Sequence, residues 1–168
     1  PHIYPFLYRA KERGAKLIVV DPYATGVASK ADLHLRPRPG TDGAMALGMI
    51  HWILKNGLED KEFIEKHTVG IDALRQLVAE WTPEYTQRVT TIPKAQLIQA
   101  AELLATTNTH FETGYGQQRY TNGHQVQRAL ACLAAVCGSF GKPEANYDCI
   151  SGMGFPNITG YAHWSKVT

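Results

Sequence analysis

Hydrophobic and polar positions divide the chain into three stretches with different periods. In the first, IYPFLYRAKERGAKLIVVDPYATG carries a helix-like segment up to Arg13, a stop at Gly14 and an apolar run from Lys16 to Val20. That run is short, β-branched and bounded by Gly14 and Asp21-Pro22, so it predicts a buried, central parallel strand preceded by a helix. After a polar loop, ADLHLRPRPGTD gives a short extended piece broken by Pro37 and Pro39, with Thr41 or Asp42 placed to cap a helix. Ala44, Leu47, Ile50, Trp52 and Leu54 then predict a mostly apolar helix over 42–56, ended by Gly57.

The second stretch, 60–104, reads as several shorter helices: LEDKEFIEKH, IDALRQLVAEW, PEYTQRV and PKAQLIQAAELLAT, with Pro83 and Pro93 at first-turn positions. From Thr109 the pattern changes again. THFET is a β-type run, GYGQQRYTNG a glycine- and amide-rich loop, and QVQRALACLAAVCG an apolar helix ended by Gly138. Two strand–loop–helix units flank a helical middle, which predicts an α/β fold: a Rossmann-like parallel sheet flanked by helices, with a helical middle segment. Residues 1–141 form one unit on this reading. The tail, 142–168, holds Gly152, Gly154, Pro156 and Gly160 without periodicity and reads as irregular, packing on parts outside this chain.

Composition narrows the classes. At 168 residues and 44% hydrophobic, the chain can bury one domain core. Seventeen basic against fifteen acidic residues leave a net charge of +2, without the clustered positive charge that nucleic acid demands, so no nucleic-acid partner is expected. Cys132, Cys137 and Cys149 form neither a closed disulfide framework nor a two-residue metal spacing. No apolar run approaches the roughly 18 residues of a membrane span. The chain opens on Pro1, which suggests a piece of something longer; compartment and any export signal stay open.

Polar and glycine residues concentrate at predicted strand ends in 21–25, 36–42 and 114–122, which an open α/β sheet brings to one edge, the usual ligand crevice. Asp21 can accept from a ribose hydroxyl or shape a turn before Pro22. Asp42 can accept two hydrogen bonds from the N1 and N2 edge of guanine, or serve as a helix cap. Gly114 and Gly116 let backbone approach a ligand, the following helix offers amides to a phosphate, and Gln118, Arg119 and Asn122 add donors. The third glycine of a dinucleotide fingerprint is missing, as are a Gly-x-Ser-x-Gly elbow and a Walker loop. The seven histidines are scattered. Nothing nominates a catalytic nucleophile, a general base or a metal ligand.

KLIVVDPYATGVASKADLHLRPRPGTDGAMALGMIHWIL, EFIEKHTVGIDALRQLV, TPEYTQRVTTIP and GYGQQRYTNGHQVQRALACLAAVCGSFGKP, in that order, resemble the molybdopterin oxidoreductases of the dimethyl sulfoxide reductase type. The resemblance implies a large enzyme that binds molybdenum, or tungsten, through bis(molybdopterin guanine dinucleotide), often with an iron–sulfur cluster, and transfers oxygen atoms or electrons. It places Asp21 near a guanosine moiety and Gly40, Thr41 and Asp42 in a guanine-reading turn. Gly114, Gly116, Gln118, Arg119, Asn122 and Gly123 would line the pterin and phosphate end.

The departures are Tyr23, where many members carry arginine, and Glu144-Ala145-Asn146, where a glycine-rich turn is usual. The resemblance begins after the segments that hold the cluster and the metal ligand, so both are expected outside this chain, and the fragment alone is expected to be inactive. Its partners would be the remaining domains of the parent enzyme and electron-transfer subunits. Apolar surface left uncovered at the first helix and the tail predicts self-association. Two alternatives remain: a non-catalytic electron-wiring subunit of the same fold, and a Rossmann-like module for another nucleotide.

Overall fold

A computed structural model describes residues 4–114, 116–142 and 145–149. The first helix, α1 (Tyr4–Glu12), ends at Gly14, whose φ of +98° takes the chain out of helical geometry. None of its residues is buried, and Phe6 is 65% exposed. It is tied to the next strand through Asp32, which accepts from the Leu17 amide at 2.9 Å and pairs with the Lys11 ammonium. The Leu17 amide first, and Lys11 second, hold that carboxyl down at about 2.

Strand β1 (Ile18–Val20) runs parallel to β2 (Leu33–Leu35), with Val19 opposite His34. The twelve intervening residues include a 3-10 turn at Ala28–Lys30, enough for a parallel crossover. Helix α2 (Asp42–Lys55) follows, then α3 (Lys61–His67), α4 (Ile71–Val78), α5 (Pro83–Thr90) and α6 (Lys94–Thr106). Strand β3 (Phe111–Thr113), helix α7 (Gly123–Val136) and strand β4 (Tyr147–Cys149) complete the described chain, and β3 and β4 pair in parallel. The fold is α/β.

Helix α2 is the post around which the rest packs. Met45, Met49, Ile50 and Ile53 are almost wholly buried on it, each stabilising the fold by about 1.5–3 kcal/mol relative to exposure. It meets α5, α6 and α7. Buried His51 fastens it to α4 by donating from Nδ1 to the Val78 carbonyl at 2.8 Å. Gly48 lets α5 come close: a Cβ there would lie 2.3 Å from the Thr86 hydroxyl oxygen. Helix α3 begins on a side-chain cap, Asp60 accepting from Phe63 N at 2.9 Å, and α5 on another, Thr82 accepting from Tyr85 N at 3.2 Å with Pro83 in the first turn.

The structure corrects four sequence expectations. The first strand is half-buried rather than central, because among the described residues it has a partner along one edge only. Among the described residues, the parallel sheet takes the form of two separate two-stranded pairs. Pro93 stands before α6 as its N-cap residue, not inside its first turn. The tail is not irregular at its start: Tyr147 enters β4, sets its ring tilted against that of Phe140 with centroids 5.7 Å apart and directs its hydroxyl to Gln127 Oε1 at 3.2 Å. A three-residue strand has too few positions to show a period, so pattern alone misses it. The tail's Gly152, Gly154, Pro156 and Gly160 lie outside the described residues.

Candidate functional site

A cleft of about 600 Å³ opens beyond the carboxyl ends of β1 and β3, where the sequence places its ligand crevice. Asp21, Gly40 and Asp42 line one wall, and Gly114, Gly116 and Arg119 the other.

Asp21 extends the ladder of β1, its amide donating to the Leu35 carbonyl at 3.1 Å. His34 alternates away from buried Leu33 and Leu35, and its Nε2 donates to the Asp21 carbonyl at 2.8 Å. With the backbone held, carboxylate Oδ1 accepts from the Tyr23 amide at 2.8 Å and closes the Pro22 turn. Both proposed roles of Asp21 are therefore compatible: one oxygen shapes the turn, and the other carries no hydrogen bond among the described residues. Tyr23, standing where an arginine is usual, is 76% exposed and outside the cleft lining.

The second element is the turn that enters α2. The Arg38 amide donates to the Thr90 carbonyl at 2.7 Å, which anchors the turn on α5. The Thr41 hydroxyl donates back to the Arg38 carbonyl at 2.6 Å. Gly40 between them has φ +82°, a conformation that favours glycine. Thr41 occupies the N-cap position without a side-chain cap, and Asp42 is the first helical residue rather than the cap. Asp42 is half-buried, and burial pushes its carboxyl above the usual range, its own amide offsetting part of the effect. Among the described residues it has no cationic partner. Among the described residues, its own amide is the donor that supports the carboxylate.

The third element is the loop after β3. Gly114 and Gly116 face open space where a Cβ would stand, and Gly116 has φ +132°. Gln118 serves the loop itself, its Oε1 accepting from the Gly116 amide at 2.9 Å. Gly123 is a packing glycine: a Cβ there would lie 2.1 Å from the Gln118 carbonyl oxygen. Arg119 ends a 3-10 turn, Gln117–Arg119, and lines the cleft.

Asn122 does not line this cleft. With Thr41 it borders a larger cavity of about 850 Å³ between α2, α4 and α7, whose walls are mostly apolar. The start of α7 is also engaged locally, since Gly123 N donates to the Tyr120 carbonyl and Gln125 N to that of Asn122. The expected supply of free helix amides is correspondingly small. Tyr120 and His34 carry parts of the site that residue-type reasoning passed over, although the Leu-His-Leu alternation already set His34 apart.

A family model for molybdopterin oxidoreductases matches residues 2–163. The chain belongs to the molybdopterin oxidoreductase family. It is 33% identical over 161 residues to the F420-dependent formate dehydrogenase subunit alpha of Methanocaldococcus jannaschii, covering 95% of this chain and 24% of that protein. It is 34% identical over 170 residues to the dimethyl sulfoxide/trimethylamine N-oxide reductase of Rhodobacter capsulatus, covering 95% and 20%. The solved structure of acetylene hydratase from Pelobacter acetylenicus superposes with a TM-score of 0.79 at 35% identity, over 84% of this chain and 20% of that one. The chain thus spans about a fifth to a quarter of the relatives it matches. No helix among the described residues is long and apolar enough to cross a membrane. The thiol of buried Cys137 is pushed up to about 12 by desolvation, which suits a packed side chain rather than a thiolate ligand.

Proposed function

We propose that the cleft holds the guanine nucleotide end of a bis(molybdopterin guanine dinucleotide) that binds molybdenum or tungsten, in an enzyme that transfers electrons or oxygen atoms. The observation that carries this is Asp42: a half-buried carboxylate with no cationic partner among the described residues, lining the same cleft as Asp21 and Arg119. Guanine offers two donors, N1–H and the N2 amino group, along one edge, and a carboxylate accepts both. Two such hydrogen bonds would replace the solvation that Asp42 has lost. The remaining oxygen of Asp21 suits a ribose hydroxyl, while the Arg119 guanidinium suits phosphate.

When bound, the metal–pterin group supplies the redox chemistry. This chain's residues bind and orient. Asp42 fixes the base, Asp21 the sugar and Arg119 the charge, while Thr41, Gln118 and Gly123 shape the two walls. The names of the matched relatives cover formate, dimethyl sulfoxide or trimethylamine N-oxide, and acetylene. A region common to all three suits cofactor holding better than substrate selection. The metal ligand, an iron–sulfur cluster and electron-transfer subunits belong, on this reading, to the rest of the parent.

The test is metal and nucleotide analysis of the purified full-length enzyme, wild type beside Asp42→Ala. The wild type should carry molybdenum or tungsten with guanine nucleotide, and the variant should lose the nucleotide at least about tenfold more readily. Unchanged retention in the variant contradicts the guanine assignment. A folded full-length protein with neither metal would favour the electron-wiring alternative.

A further inference from the structure

We propose that the ring of Tyr120 is the platform on which the base read by Asp42 stacks; this rests on the guanine reading of the cleft. Tyr120 lines the cleft and is 48% exposed, although its main chain is pinned on both sides. Its carbonyl accepts from the Gly123 amide at 2.8 Å, and its amide closes the preceding 3-10 turn on Gln117. A large aromatic held half in water on a fixed backbone leaves apolar surface that a ligand can cover.

The ring is also held from the opposite wall. A Cβ on Gly40 would meet ring carbons of Tyr120 at 3.4, 3.6 and 3.7 Å, so the ring lies close beside the Gly40 backbone, with room there for no more than an ordinary contact. Gly40 stands two residues before Asp42. The turn that positions the edge-reading carboxylate therefore also positions the aromatic surface. A planar base whose edge meets a carboxylate still has two faces to cover, and an aromatic ring beside that carboxylate covers one of them. Tyr23, the more exposed tyrosine, lies outside the cleft lining.

Stacking requires an aromatic face and tolerates loss of the phenol hydroxyl. In the full-length cofactor-loaded enzyme, the rate of guanine nucleotide release, followed by chromatography after transfer to nucleotide-free buffer, should stay within about twofold of wild type in Tyr120→Phe and rise about tenfold in Tyr120→Leu. Asp42→Ala is measured beside them. Fast release from both Tyr120→Leu and Asp42→Ala supports stacking. Fast release from Asp42→Ala alone overturns the stacking and leaves the guanine reading standing, whereas wild-type release from both overturns the two together. Should Tyr120→Leu fail to accumulate as folded enzyme, Tyr120→Trp decides. Its added fluorescence should be quenched in the loaded enzyme and recover when the cofactor is stripped, and an unchanged emission overturns the proposal.

Discussion

Gly123→Ala places one methyl group where the structure has a carbonyl. The new Cβ would lie 2.1 Å from the Gln118 oxygen, 2.3 Å from its carbonyl carbon and 2.5 Å from its Cα. Ordinary contact begins near 3.4 Å, so the carbonyl must recede by about 1.3 Å. All three atoms are backbone, so no rotamer change relieves the overlap. The Gln118 turn would have to leave the helix, together with its bond to the Gly116 amide.

Overpacking of this kind costs about 1–3 kcal/mol, and the helix preference of alanine over glycine returns at most about 1 kcal/mol. With the full return subtracted, a net local loss of up to about 2 kcal/mol remains, which corresponds to up to about 30-fold faster opening. Amide hydrogen exchange in the full-length protein should therefore accelerate by that factor across the Gln117–Arg119 turn, and guanine nucleotide release should quicken with it. Gly43→Ala is the control, since its Cβ would meet Val126 at an ordinary 3.5 Å and α2 should tolerate it. Exchange in Gly123→Ala no faster than in Gly43→Ala would refute the packing argument.

Two further outcomes follow from the carboxylates of Asp60 and Asp42. Asp60→Ala removes the α3 cap and the 2.8 Å contact from Lys142, so it should cost about 1–2 kcal/mol in chemical unfolding, while Asp60→Asn, which keeps an acceptor for Phe63 N, should recover most of the cap. Burial raises the Asp42 carboxyl, so in the unliganded fold its proton is held at pH values where the unfolded chain has lost it; this group's contribution to stability falls as pH rises between the two values and is level above them. Donors from guanine favour the carboxylate, so binding expels that proton. Affinity of cofactor-stripped full-length enzyme for guanosine monophosphate should rise with pH through the raised value and then level off, with the rise absent in Asp42→Asn; equal pH profiles for the two proteins would contradict this.

The long elements were legible because they repeat. Helix α2 at Asp42–Lys55 lies almost where its apolar pattern ends at Gly57, and Gly138, at φ +66°, follows α7 as a stop. The strands were less so, since three residues cannot declare which edges they will share. At the site, the rule that ligands gather at strand ends brought Asp21, Asp42 and Arg119 to one cleft, because it depends on chain direction alone. It could not separate residues that face a ligand from residues that shape the wall. Gln118 spends its side chain on the Gly116 amide, Thr41 spends its hydroxyl on the Arg38 carbonyl, and Gly123 is required by a carbonyl five residues away. Those commitments exist only after the turns close. Tyr120 reads as one more loop residue for the same reason, since the approach of its ring to Gly40 joins positions eighty apart.

The most direct measurement is equilibrium binding of guanosine and inosine monophosphates to cofactor-stripped full-length enzyme. The two differ by the N2 amino group, one of the two donors assigned to Asp42. Guanosine monophosphate should bind about tenfold tighter, and Asp42→Ala should erase the preference. Equal binding of the two nucleotides by wild type, or a preference that survives Asp42→Ala, would contradict the reading of this cleft as a guanine site.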